Sequence, residues 1–368
     1  PECIGSPISA TSPTTFSPDP RNDAMTPWTS LTRRVFLQAA GSCLAHLALM
    51  ASPFPLAARS RWSRRAQVRV VAQEPFGRLE QLGEGLYALI STPLGGDYAT
   101  VSNGGIIVGR DGTLVVEAFQ TVQGAEWLAR QARRLTGTWP THVLVTHYHG
   151  DHSRGVEGYV VSDPADKSQP LREGPRESRP AARAAPSILA TAATRDLTVG
   201  QLPEDASGDL RRLWADVVLL PPEDPRELDL GGRIVRLVPR RGHTPSDVTV
   251  ELPEDSLIWC GDLVWNGMFP NYMDAVPSAL SKAVRTVRGG AWDVWVPGHG
   301  PLASAEDMSR YVAVIDGIEE TARWAVRQGW TAEEAGARHT IPADLGAWTL
   351  FNPSYFQRAI EAWMKELS

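Results

Sequence analysis

The segment His147-Tyr148-His149-Gly150-Asp151-His152 constrains this chain more than any other, because it sets three histidines and an aspartate within six residues. It follows directly on Val143-Leu144-Val145, an apolar run that predicts a short buried strand. A single histidine is ordinarily a packed core or surface residue, but a cluster does not fit that description. Protonated, three imidazoles so close would repel one another. Buried and neutral, they would leave ring nitrogens without partners. A divalent cation removes both difficulties, so the fold must set this loop where a metal can be held.

The pattern His-x-His-x-Asp-His after a strand resembles the signature of the metallo-β-lactamase superfamily. That family places further ligands at later strand ends, and three candidates occur in the expected order. They are Gly242-His243-Thr244-Pro245, Gly261-Asp262 after Leu257–Cys260, and Pro297-Gly298-His299-Gly300 after Val294–Val296. Glycines beside each one allow the sharp turns and close approach that a metal site needs. The resemblance spans roughly residues 85–305.

The resemblance implies an α/β chain folded as an αββα sandwich, two mixed β-sheets flanked by helices. It implies one metal on His147, His149 and His243, a second on Asp151, His152 and His299, and Asp262 bridging the two. Nitrogen-rich ligation with carboxylates suits two zinc ions, and the same set also accommodates iron or manganese. Asp151 and Asp262 are the expected catalytic residues of a metal-dependent hydrolase whose bridging hydroxide attacks a carbonyl. Two dications against two aspartates and a hydroxide leave a small positive charge, which favours a small anionic substrate.

Asp262 bears on the choice among hydrolases. Superfamily β-lactamases generally place cysteine or serine nearby instead, so this aspartate resembles the glyoxalase-II-like thioesterases and lactonases. An ester, lactone, thioester or amide is the expected substrate, with a true β-lactamase as the alternative. A non-catalytic metal-binding or partner-binding protein on the same fold is the alternative of another class. Alkylsulfatases share parts of the signature. A formal charge of −6 and the absence of a basic groove argue against nucleic acid as a partner.

The N-terminal region reads as an address. Arg33-Arg34 precede an apolar, Ala- and Leu-rich stretch from Leu37 to about Leu56, which ends in Pro55-Leu56-Ala57-Ala58. These are the parts of a secretory signal, and the paired arginines resemble the twin-arginine type. Ser42, His46, Ser52, Pro53 and Pro55 interrupt the apolar run and argue against a membrane anchor. The expectation is export to the periplasm or beyond by the twin-arginine machinery, with residues 1–58 forming an N-terminal extension and signal. Residues 1–24 are expected to lie outside the natural product, since Met25 sets the arginines at the usual distance from a start. The extension holds two of the three cysteines, Cys3 and Cys43, so Cys260 alone remains after cleavage and no internal disulfide can form.

Beyond the signal, residues 59–75 read as a flexible lead-in, 76–304 as the catalytic domain and 305–368 as a helical tail packed upon it. Strands are predicted at Leu86–Ile90, Gly105–Val108, Thr113–Glu117, Ile188–Ala190, Ile234–Val238 and Val248–Leu252, in addition to those above. The Arg110-Asp111-Gly112 turn marks a hairpin. Helices are predicted at 123–136 and 278–287. Prolines and charges from 162 to 186 mark a mobile insertion. In the tail, Met308, Val312, Ile315, Ile318, Ala322 and Val326 form an apolar stripe, and Thr331 with Glu334 forms a capping box. Asn352-Pro353 opens a last helix carrying Phe356, Ile360, Trp363 and Leu367. Packing is the expected role of the whole tail.

Among lesser candidates, Cys260 reads as a buried thiol, His142 and His339 as structural, and Tyr148 as pointing away from the metals. The loop Pro93–Tyr98 is a candidate overhang, and Trp265, Asn266 and Tyr272 are candidate pocket residues. Oligomeric state is not legible.

Overall fold

The computed structural model describes residues 68–160 and 185–368. Its first sheet grows along the chain without a change of order: β1 (Arg69–Glu74), β2 (Gly77–Gly83), β3 (Leu86–Ser91), β4 (Gly104–Val108), β5 (Thr113–Val116), β6 (His142–Leu144), β7 (Ser187–Thr191) and β8 (Val218–Leu220). The first five pair antiparallel, and β5 to β8 pair parallel. Parallel neighbours need crossovers, which here carry helices. Helix α1 (Val122–Thr136) joins β5 to β6, and α2 (Gly150–Ser153) follows β6. Helices α3 (Ala192–Gln201) and α4 (Gly208–Ala215) join β7 to β8.

The second sheet contains β9 (Arg226–Asp229), β10 (Ile234–Pro239), β11 (Val248–Leu252), β12 (Leu257–Trp265) and β13 (Val294–His299), in the order β13-β12-β11-β10-β9. Helix α5 (Pro277–Arg288) makes the crossover between the parallel strands β12 and β13. The chain closes with α6 (Ala305–Gln328), α7 (Ala332–Arg338) and α8 (Tyr355–Leu367).

Two-residue alternation builds three apolar layers from these elements. On β3, Leu86, Ala88 and Ile90 face the second sheet, whereas Tyr87 and Leu89 face α1. On β12, Leu257 and Trp259 face the first sheet, whereas Ile258 and Cys260 face the tail helices. Each fully buried Val, Leu or Ile contributes about 1.5–3 kcal/mol relative to exposure. Across the middle layer Trp259 Nε1 donates to Gly104 O at 3.0 Å, tying sheet to sheet. The result is the expected sandwich of two mixed sheets flanked by helices.

Several elements differ from the sequence reading. Arg69–Glu74 of the expected flexible lead-in form β1, paired with β2 at the sheet edge. Strand β12 continues to Trp265, so Asp262 lies within it and not after it. The turn at Gly261, with φ +52, and two register shifts against β13 let the strand run on past Cys260. In α6 the buried residues are Met308, Tyr311, Val314, Ile315, Ile318, Ala322 and Ala325, with Val326 exposed. Steps of three and four residues along this set keep one face on the core through every turn. The capping boxes Thr331/Glu334 and Ser304/Asp307 start α7 and α6. The N-terminal extension, the signal, residues 59–67 of the lead-in and residues 162–184 of the insertion lie outside the described residues. Among the described residues no helix is long and apolar enough to cross a membrane.

Candidate metal centre

The buried strand β6 ends at Leu144, and the chain then turns through His147 to His149 into α2. Two backbone bonds fix that turn against the end of β5: Glu117 N donates to Leu144 O at 2.8 Å, and Ala118 N to His152 O at 2.9 Å. His243 sits in the turn between β10 and β11, Asp262 on β12 and His299 at the end of β13. Strand ends from both sheets thus converge on one place. Asn103 locks them there, its N donating to Gly298 O at 2.7 Å and its Nδ2 to Pro297 O and Gly300 O. Gly298 is obligatory, since a Cβ there would stand 1.9 Å from Asp262 Oδ1.

The seven expected residues fall into two groups whose ligand atoms lie within 4.8 Å of one another: His147, His149, His243 and Asp262; and Asp151, His152 and His299. In the first, His149 Nδ1 lies 3.2 Å from His147 Nε2 and 3.0 Å from His243 Nε2. Asp262 Oδ2 lies 3.3 Å from His243 Nε2 and 3.8 Å from His147 Nε2. In the second, Asp151 Oδ2 lies 3.3 Å from His299 Nε2 and 3.6 Å from His152 Nε2. The other oxygen of Asp262, Oδ1, lies 3.2 Å from His152 Nε2 and 3.3 Å from His299 Nε2. Asp262 therefore presents one oxygen to each group.

These residues fit a metal. A tetrahedral ion with metal–nitrogen bonds of about 2.0–2.1 Å spaces its ligand atoms about 3.3–3.4 Å apart, close to the spacings found. His152 Nε2, His299 Nε2 and Asp262 Oδ1 are buried without a hydrogen-bond partner among the described residues. Such orphaned atoms are costly unless something binds them.

Around the groups lies an outer set of polar side chains that the sequence reading missed. Asp274 accepts from His149 Nε2 at 2.8 Å, which leaves Nδ1 free to face inward. Thr146 Oγ1 lies 3.0 Å from His147 Nδ1 and donates to Glu117 Oε1 at 2.6 Å. Glu117 Oε1 is also 3.0 Å from His152 Nδ1. Buried Asp247 accepts from the backbone of His243 and Thr244, shaping the turn that presents His243. Carboxylates behind histidines set tautomer and basicity. Their only sequence signal is an acidic residue inside or just beyond an apolar stretch, as with Glu117 after Leu114-Val115-Val116.

Electrostatics separates the two groups. Burial pushes the His147 pKa well below its ordinary value and that of His243 down to about 3, so both stay neutral. Burial opposes charge on His152 and His299 too, but Asp262 and the neighbouring carboxylates outweigh it. They raise His152 well above its ordinary value and His299 to about 9. Burial likewise opposes charge on Asp151, and His152 and His299 hold it down at about 2 nonetheless.

A cavity of about 450 Å³ opens onto these residues. His149, Asp151, Asp262 and His299 form its floor, Tyr98, Val101 and Arg154 one part of its wall, and Trp265, Met273, Phe351 and Tyr355 another. Of the expected pocket residues, Trp265 reaches the cavity and packs against His299, ring centroids 4.0 Å apart and tilted by 41°. Tyr272 packs in the core, and Asn266 uses its Nδ2 to donate to Pro301 O and Leu302 O. Tyr98 alone carries the expected overhanging loop into the lining. Cys260 is buried in the core, its thiol pushed up by burial. Tyr148 packs beside His149 outside the cavity lining, His142 bonds Thr141 and His339 bonds Thr321. Phe351 and Tyr355 belong to the tail that sequence reasoning assigned to packing, and no motif marks them.

A family model described as Metallo-beta-lactamase superfamily matches residues 97–299. A linear primary-alkylsulfatase of Pseudomonas sp. (strain ATCC 19151) is 21% identical over 288 residues, 67% of this chain and 51% of that protein. Among solved structures, a stereoselective inverting sec-alkylsulfatase from Pseudomonas sp. matches with a TM-score of 0.57 at 16% identity, over 78% of this chain and 50% of that one. A metallo-β-lactamase from Erythrobacter litoralis matches with a TM-score of 0.47 at 19% identity, over 67% of this chain and 98% of that one. The chain thus spans about half the length of both alkylsulfatases.

Proposed function

The chain belongs to the metallo-β-lactamase superfamily as a hydrolase with a candidate metal site, and from that premise we propose that it is an exported two-zinc enzyme that cleaves the carbonyl bond of an anionic ester, lactone, thioester or amide. The observation that carries the two-metal reading is the placement of Asp262, whose two oxygens face two separate histidine groups. His147, His149 and His243 would hold one ion, Asp151, His152 and His299 the other, with Asp262 between them.

Bound divalent ions supply a water activated near neutral pH and a polarised scissile group. The chain's own residues do the rest. Asp151 lines the cavity and is ionised, so its carboxylate accepts a hydrogen bond from the attacking water and orients it. Asp274 and Glu117 hold His149 and His152 in place from behind. Arg154 lines the cavity without an ion pair to any described residue, which supports a negatively charged substrate. An aspartate at 262, which superfamily β-lactamases generally lack while placing cysteine or serine nearby, supports the carbonyl esters and thioesters over β-lactams. Export by the twin-arginine route rests on Arg33-Arg34 and the apolar stretch after them.

A second reading is a sulfate ester in place of the carbonyl. It is supported by the alkylsulfatase relative and by a cavity whose lining includes the Arg154 guanidinium and the apolar side chains Val101, Met273 and Phe351. One panel decides between them. The zinc-loaded protein and a chelated control would be assayed on p-nitrophenyl butyrate, a γ-lactone, an acyl thioester, a chromogenic cephalosporin and dodecyl sulfate. Chelator-sensitive kcat/KM of about 10⁴ M⁻¹s⁻¹ or more on one of the first three supports the carbonyl reading. The same rate on the cephalosporin or the sulfate ester alone replaces it. Cell fractionation of a strain carrying the precursor, with and without R33K/R34K, tests export; equal periplasmic protein from both refutes the twin-arginine route.

A further inference from the structure

The tail of the chain does more at this site than its apolar stripes require. After α7 it crosses back to the segment following β12, where Phe269 N donates to Thr349 O at 2.9 Å and Thr349 N donates to Gly267 O at 3.0 Å. Those two bonds fix the start of α8 beside the cavity. Tyr355, the first residue of α8, is 7% exposed and lines the cavity together with Asp151, Asp262 and His299.

Its surroundings hold the ring and leave the hydroxyl free. The ring meets Trp265 edge-on at 6.3 Å, and Trp265 in turn packs tilted against His299. The Arg358 guanidinium lies 5.9 Å from the ring centre. The hydroxyl makes no hydrogen bond to any described residue. Tyr159 is different, for its buried hydroxyl donates to Glu117 O at 2.7 Å. Buried phenols generally find a partner. One beside a cavity and without a partner in the protein is placed to bond what enters.

We infer that Tyr355 is a further catalytic residue, whose hydroxyl donates a hydrogen bond to an anionic oxygen of the substrate's reacting group. The inference rests on the hydrolase reading above but not on the choice between carbonyl and sulfur. A phenol with an ordinary pKa of about 10 remains a donor throughout the neutral range. No bond to the tyrosine forms or breaks, and its proton stays on the oxygen. The donor matters most where negative charge gathers, so it stabilises the transition state more than the bound ester.

The test is Tyr355→Phe, which keeps the ring and its contacts with Trp265 and Arg358. Zinc content and the circular dichroism spectrum should match the parent. Two readouts follow: calorimetric binding of phenylphosphonate to the zinc-loaded protein, and kcat on p-nitrophenyl butyrate. Loss of one hydrogen bond to a charged oxygen should weaken phosphonate binding by about 10- to 100-fold and lower kcat by a similar factor, with KM little changed. Equal phosphonate affinity in the two proteins, or no binding by the parent, overturns the inference. Weakened phosphonate binding by the variant, with no turnover by the parent on the ester, the lactone or the thioester, would support Tyr355 and reject the carbonyl reading instead.

Discussion

The cavity has a floor and a wall of different origin. The floor lies at strand ends of both sheets, where His147, His152, His243, Asp262 and His299 are almost wholly buried, and where buried Glu117 and Asp247 and the partly exposed Asp274 support the histidines from behind. Part of the wall comes from the tail, where Phe351 is 39% exposed and two backbone bonds through Thr349 hold the segment in place. The floor fixes what chemistry is possible. The wall selects what reaches it. Substitutions should therefore separate, with floor changes acting on metal content and kcat, and changes in the wall other than at Tyr355 acting on substrate affinity with metal content kept.

The sharpest way to break this division is Asp262→Asn. With one oxygen turned to each histidine group, its loss should remove at least one equivalent of zinc and lower kcat/KM by about 10³-fold or more; as a benchmark, removing one donor in an oxyanion hole costs about 10²–10³-fold. Retention of both equivalents by mass spectrometry would undo the bridging role. Asp274→Asn lies one step outward, behind His149. Zinc affinity measured against a competing chelator should fall by about 10- to 100-fold, the usual cost of losing such a partner. An unchanged affinity would mean that His149 needs no orienting group.

On the wall, Phe351→Ala should raise KM a few-fold, with zinc content and kcat near those of the parent. A fall in zinc content would erase the distinction between floor and wall.

The smallest effect concerns the tail's stability. Burial lowers the His339 pKa from 6.5 to about 4. Above pH 6.5 the imidazole is neutral in both folded and unfolded chains and costs nothing. As pH falls from 6.5 through 4, the unfolded chain takes up a proton that the folded one refuses, so stability drops in acid. His339→Gln should make that drop shallower. Urea midpoints at pH 7.5 and 5, both in chelator so that metal loss cannot contribute, would show it. Parallel loss in the two proteins would rule His339 out.

The legible and illegible parts of the molecule follow the same line. Seven candidate ligands could be picked from the sequence because the residue types are diagnostic and four of them lie within one short loop. The sandwich came from the resemblance, while nine of the thirteen strands among the described residues and α1 were legible from apolar runs and periodicity, and β1, β2, β8 and β9 were not. Two-residue alternation on β3 and β12, and the three-four stripe of α6, show why such patterns report burial. The extent of β12 was not legible, since Gly261 and Asp262 look like a strand's end and prove to be a turn inside it.

What the sequence determined by itself is the cluster and the apolar runs that become most of the strands. Dense imidazoles and alternating apolar runs are local facts, and local physics reads them. The tertiary structure alone decided that Asp262 faces both groups, that Asp274 stands behind His149 across 125 residues of chain, and that Tyr355 closes on the cavity. Each of these depends on where a distant backbone comes to rest. A lone aspartate or tyrosine carries no sign of its eventual neighbours until packing brings them together.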